Sequence, residues 1–82
     1  MFNNFDEFEV AIAELLDVPL EDLSGYEDSL LDFGLDSVQI MTLVGQLEEQ
    51  GIEVSFIDLA AQVELPVWWA LIESKIKLKQ SA

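Results

Sequence analysis

Neither cysteine nor histidine occurs in this 82-residue chain, and its only cations are three lysines. The first absence rules out a disulfide, and the two together remove the usual ligands of a structural zinc site. A domain this short must then be held by apolar packing alone, which its 51% hydrophobic content permits and which favours packed helices. Long hydrophobic runs are missing as well. No stretch approaches the roughly 18 apolar residues of a membrane-spanning helix, and no basic segment leads into an apolar one at the start. A soluble protein is expected, and the lack of cysteine suits a reducing, cytoplasmic setting.

Positive charge is confined to one end. Lys75, Lys77 and Lys79 follow all 17 carboxylates, so residues 1–74 carry −17 with nothing to offset it. Such a surface repels the phosphates of nucleic acid and of anionic lipid, which excludes both as partners. It attracts basic protein surfaces, most strongly at low salt, although acidity can also serve solubility alone.

What is present reads as helix. Phe5, Phe8, Ile12, Leu15 and Leu16 recur at helical spacing behind Asn3 and Asn4, either of which can cap a helix over about residues 4–16. Pro19 discourages its continuation. Residues 17–36 hold seven acids, Gly25 and Gly34, and read as a long loop pinned by buried anchors among Leu20, Leu23, Leu30, Leu31 and Phe33. A helical turn near 20–23 or 28–32 is expected within it. Asp36 then caps a helix over about residues 37–50, with Ile40, Leu43, Val44 and Leu47 on its apolar face and Gly51 as its left-handed stop. Ser55 caps a short helix over about 55–61, and a last helix covers about 65–78, with Pro66 tolerated in its first turn. The expected fold is all-α, a small bundle of three longer helices and one short one, forming a single domain over residues 1–82. In the last helix Trp68 and Trp69 lie about 100° apart. Trp69, four residues after Leu65 and three before Ile72, is expected to be the deeper ring, with Trp68 at the rim.

Catalysis has little to work with. Carboxylates are plentiful, but no histidine or cysteine can serve as base or nucleophile, and an ordinary exposed Asp36 is too weak a base for the Ser37 hydroxyl. No enzymatic activity and no metal site are expected. Asp28, Asp32 and Asp36 recur every four residues, which fails the alternating ligand spacing of a calcium loop.

Ser37 has another use. The first turn of a helix presents unpaired N–H groups and the positive end of a dipole, a setting that favours a phosphate ester, although Asp-Ser at a helix start is also common capping chemistry. If Ile40, Leu43, Val44 and Leu47 face inward, the helical period turns Val38, Met41 and Gly45 outward beside Ser37. Residues 37–47 carry no charge in an otherwise acidic chain, so this face reads as a docking surface. Val38 or Met41 filling a gap in the core is the alternative.

Gly34, Leu35, Asp36, Ser37 and Val38 resemble the phosphopantetheine-attachment motif of carrier proteins, in which Gly-x-Asp-Ser and a hydrophobic residue begin the second helix of a four-helix bundle. The resemblance extends over Leu30, Leu31, Asp32 and Phe33, the helix after Ser37, and the run from Val54 to Leu59. That run, with the segment from Trp68 to Leu71, is most similar to aryl and peptidyl carriers of nonribosomal peptide and siderophore synthesis. Fatty-acid carriers typically place acids soon after the serine, whereas the next acid here is Glu48. Glu64-Leu65-Pro66 departs from the Pro-Thr pair common in aryl carriers, and an isochorismatase domain of the kind often fused to them cannot fit in 82 residues.

The resemblance implies a freestanding carrier or an excised domain, monomeric, bearing 4′-phosphopantetheine on Ser37. A phosphopantetheinyl transferase would attach it from coenzyme A with magnesium, Asp36 helping to hold the metal in that complex. An adenylating enzyme would load the arm with an aryl, aminoacyl or acyl group as a thioester, and a condensation or other downstream synthetase domain would unload it. Val38, Met41, Gly45 and Phe56 are the expected partner-binding residues. From its place on the last helix, Trp68 at the rim either is merely half-buried or flanks the arm or a partner, the first being favoured. Two other readings compete: an acidic adaptor that binds a partner through Val38 and Met41 without modification, and an acyl carrier of primary fatty-acid metabolism.

Overall fold

The computed structural model describes residues 2–80. The first helix, α1 (Phe5–Leu16), starts where the Asn4 side chain accepts the Glu7 N–H at 2.9 Å, and ends where Asp17 turns left-handed at φ 57°. Its Phe8, Ile12 and Leu16 recur every four residues and are buried, while Phe5 and Leu15 flank them partly covered.

Two short elements punctuate the chain between residues 17 and 36. Helix α2 (Leu20–Leu23) buries Leu23, and a 3₁₀ turn (Leu30–Phe33), capped by Ser29, buries Leu30. Both segments in which a helical turn was expected therefore contain one. Only part of the expected anchoring is found. Leu23, Leu30 and Leu35 are buried, but Leu20 and Leu31 are exposed, because a single turn can direct only one side of itself at the core. The Leu30 N–H also donates to the Val63 carbonyl at 2.7 Å, tying the loop to the segment before the last helix. Tyr26 adds a second fastening: its ring meets Phe33 edge-on, centroids 4.7 Å apart, and its hydroxyl donates to the Asp32 carboxylate.

Helix α3 (Ser37–Glu49) buries Ile40, Leu43 and Leu47. Gly51, at φ +79°, lets the chain reverse so that the Ile52 N–H reaches back to the Leu47 carbonyl at 2.8 Å. Ser55 caps α4 (Phe56–Ala61), which packs on α3 and buries Leu59. The last helix, α5 (Leu65–Gln80), begins with Pro66 in its first turn and lays Leu65, Trp68, Ile72 and Ile76 into the core. Near its far end the Lys79 ammonium donates to the Gln50 carbonyl at 3.0 Å and fills the space a Cβ at Gly51 would need. The result is the expected all-α bundle, 37 × 23 × 19 Å, with no strand among the described residues.

The tryptophan assignment is reversed. Trp68 is 1% exposed and its indole N–H donates to the Leu59 carbonyl at 2.9 Å, whereas Trp69 is half-buried against the rings of Phe5 and Phe8. Leu65, Trp68, Ile72 and Ile76 follow steps of three, four and four, a stripe that serves Trp68 as well as the sequence argument served Trp69. The decision falls to the one polar atom on the ring. Buried indole needs an acceptor, and the carbonyl of Leu59 supplies one at the position of Trp68. A buried Trp68 cannot flank an arm or a partner. Leu71, on the same helix, is only partly covered.

Two measurements follow from this packing. Trp68→Ala removes a core ring and leaves the Leu59 carbonyl unpaired, so chemical denaturation should show a loss of about 3–5 kcal/mol, against about 1–2 for Trp69→Ala. Equal losses would contradict the assignment.

The Tyr26 hydroxyl is pushed from 10.0 up to about 12, first by its hydrogen bond to Asp32, then by partial desolvation and by the charges of Asp32 and Asp28. The folded state thus holds this proton more tightly than the unfolded chain does. Its stabilisation is complete below pH 10.0 and is lost as pH rises through about 12. Tyr26 is the only tyrosine. Ultraviolet titration of its phenolate should therefore give one high midpoint that Asp32→Asn returns toward 10.0; unchanged midpoints would show that Asp32 does not hold the proton.

Candidate functional site

Three residues decide how α3 begins. Gly34, at φ +81°, reverses the chain after the 3₁₀ turn, and Leu35 is buried, which fixes where the next residue emerges. Asp36 then caps the helix: its carboxylate accepts the Gln39 N–H at 2.9 Å, while the Gln39 side-chain oxygen accepts the Asp36 N–H at 3.2 Å. The Gln39 amide also donates to the Leu15 carbonyl at the end of α1, at 3.3 Å.

This reciprocal pair relieves Ser37 of any capping duty. Ser29 and Ser55 each use their hydroxyl as a cap, and Ser74 donates its own to the Leu71 carbonyl. The hydroxyl of Ser37 is exposed and makes no hydrogen bond among the described residues. The N–H groups of Ser37 and Val38 are likewise without partners among the described residues, at the positive end of a 13-residue helix. A nucleophilic oxygen without a base of its own, next to two free donors, can accept a phosphate ester from another enzyme and help to neutralise it.

The surroundings are apolar and neutral. Val38 is 71% exposed and Met41 60%, and Gly45, one turn further along the line from Ser37 through Met41, is exposed too. None of the three fills the core, which settles the alternative left open for Val38 and Met41. Phe56 is half-buried and packs against the core, while its neighbour Ile57 is 75% exposed. Sequence reasoning singled out Phe56, whose side chain is the less exposed of the two. The signal for Ile57 was present: Leu59 is the buried residue of α4, so in a six-residue helix the residue two positions before it lies on the other side. Exposed Leu31, in the 3₁₀ turn, was likewise counted as an anchor. Among the described residues no helix is long and apolar enough to cross a membrane.

Comparison with known proteins agrees with this geometry. The family described as "Phosphopantetheine attachment site" matches residues 6–65. Pseudomonine synthase PmsE of Pseudomonas entomophila is 49% identical over 51 residues, 62% of this chain but 8% of that protein. The isochorismatase of Bacillus subtilis is 48% identical over 64 residues, 78% of this chain and 20% of its own length. The chain thus spans a fifth or less of both of these relatives. Acyl carrier protein ScoB of Streptomyces coeruleorubidus is 36% identical over 70 residues, which cover 85% of this chain and 81% of that one. No solved structure gives a significant match. With a family match over most of its length and a carrier protein aligned almost end to end, the chain belongs to the phosphopantetheine-binding carrier protein family, whose members bear a 4′-phosphopantetheine arm.

Proposed function

We propose that the chain acts as one carrier domain, that Ser37 is its attachment point, and that it carries an acyl, aminoacyl or aryl group between enzymes of nonribosomal peptide or related secondary-metabolite synthesis. The observation that carries this reading is the exposed, unbonded hydroxyl of Ser37 at a helix start already capped by Asp36 and Gln39. The likeness to pseudomonine synthase favours a peptide-synthetase setting over fatty-acid metabolism, as does the lack of charge from Ser37 to Leu47.

The chain's residues have limited tasks. In the transferase the Ser37 oxygen forms a bond to phosphorus as the pyrophosphate link of coenzyme A breaks; adenosine bisphosphate leaves with the bonding electrons, and the serine proton passes to a base of the transferase. One oxygen of Asp36 stays on the Gln39 N–H, and the other makes no hydrogen bond among the described residues, which leaves it for the transferase's magnesium. The free N–H groups of Ser37 and Val38 favour the ester's negative charge. Once attached, the arm supplies a thiol that holds the cargo as a thioester near each enzyme in turn. An adenylating enzyme loads it and a condensation or other synthetase domain unloads it, both meeting the surface of Val38, Met41, Gly45 and Ile57.

Incubation with coenzyme A, magnesium and a broad-specificity transferase should add one phosphopantetheine to the intact mass, and Ser37→Ala should abolish the gain. No adduct on the native chain, or one that survives Ser37→Ala, would overturn the assignment and favour the unmodified adaptor.

Met41 separates docking from folding. Being exposed, Met41→Glu should leave the melting temperature within a few degrees, while the added charge on a neutral contact slows loading by about tenfold. A large fall in melting temperature, or loading at the native rate, would remove Met41 from the docking surface.

A further inference from the structure

Helix α1 ends with an accounting problem. The Asp17 and Val18 N–H groups take the carbonyls of Ala13 and Glu14, but the residue four positions beyond Leu15 is Pro19, which has no N–H to give. Leu15's carbonyl is met instead by the side chain of Gln39, 24 residues along the chain and in the first turn of α3. That bond is partly buried.

Gln39 therefore faces two ways. Its oxygen closes the cap with the Asp36 N–H, and its amide holds that cap to the end of α1. Ser37 lies between Asp36 and Gln39, so this side chain adds a directed tie to α1 beside the buried Leu35 and Ile40, which anchor the turn by packing.

We propose that Gln39 is a positioning residue for the attachment reaction, holding the Asp36–Ser37 turn against α1 so that the transferase meets it already ordered. This rests on the reading of Ser37 as the attachment point. A turn that must be ordered on binding weakens the encounter without changing the bound geometry, so loss of the clamp should raise the KM for the carrier and spare kcat.

The two halves of the side chain can be separated. Gln39→Glu keeps an acceptor for the Asp36 N–H but has no donor for the Leu15 carbonyl, whereas Gln39→Lys keeps a donor and loses the acceptor. Asn4→Ala removes a cap of the same kind from the other end of α1. With transferase and coenzyme A, Gln39→Glu should raise KM about fivefold with kcat within twofold of the native value, the size expected for ordering one side chain on binding. The rise should persist at high salt, where the effect of the added charge is screened. Gln39→Lys should lie closer to the native KM, and Asn4→Ala should lower the melting temperature yet leave KM alone. In exchange experiments, the amides of the first turn of α3 should exchange faster in Gln39→Glu than in Asn4→Ala.

A native KM for Gln39→Glu, a rise that vanishes at high salt, a Gln39→Lys variant as poor as Gln39→Glu, or an equal rise in Asn4→Ala would each overturn the proposal. A native chain that accepts no phosphopantetheine at all would instead sink the assignment of Ser37.

Discussion

The constraint on which the rest depends is that 17 carboxylates and three lysines leave little to ion pairing, so apolar contact must supply most of the cohesion. Trp68 lies at the centre of that contact. Its ring fills the core beside Leu65 and Ile72, and its N–H satisfies the carbonyl of Leu59, so α5 is joined to α4 by packing and by a directed bond at once. A fully buried aliphatic side chain contributes about 1.5–3 kcal/mol, and each of the longer helices places several such residues in the core. No surface ion pair can substitute, since the carboxylates far outnumber their possible partners.

A core made this way leaves the surface free for recognition. The start of α3 joins the two: Leu35 and Ile40 are buried on either side of it, and Asp36, Ser37 and Val38 are exposed between them. The hydroxyl is thus held by its neighbours' burial while taking no part in stability. On the reading proposed above, chemistry that requires a base, a metal or an enclosed cavity falls to partner enzymes.

Much of this was legible in the sequence, for identifiable reasons. Helices α1 and α3 carry their own punctuation, an Asn or Asp cap at one end and a left-handed residue at the other, and were placed to within a residue or so. The Asp36–Ser37 turn and the outward direction of Val38, Met41 and Gly45 followed from the 3.6-residue period alone. What could not be read was anything settled by contact between distant segments. Trp68 and Trp69 are equivalent on a helical wheel, and only the Leu59 carbonyl distinguishes them. Leu20 and Leu31 look like anchors until the one-sidedness of a single turn is known. The bond from Gln39 to Leu15 spans 24 residues and leaves no local pattern. Ile57, by contrast, could have been found from the spacing within α4.

The position of Lys79 has an effect beyond the bond it makes. Its ammonium sits on the Gln50 carbonyl and beside Gly51, so one of the chain's three lysines is held against the turn that ends α3. The segment that leads into α3, residues 17–36, holds seven carboxylates and no lysine. The two sequence neighbours of α3 thus differ in charge, with a lysine held against the turn that ends it and only carboxylates in the segment that leads into it. Charge spread this unevenly can orient a charged partner at long range as well as attract it.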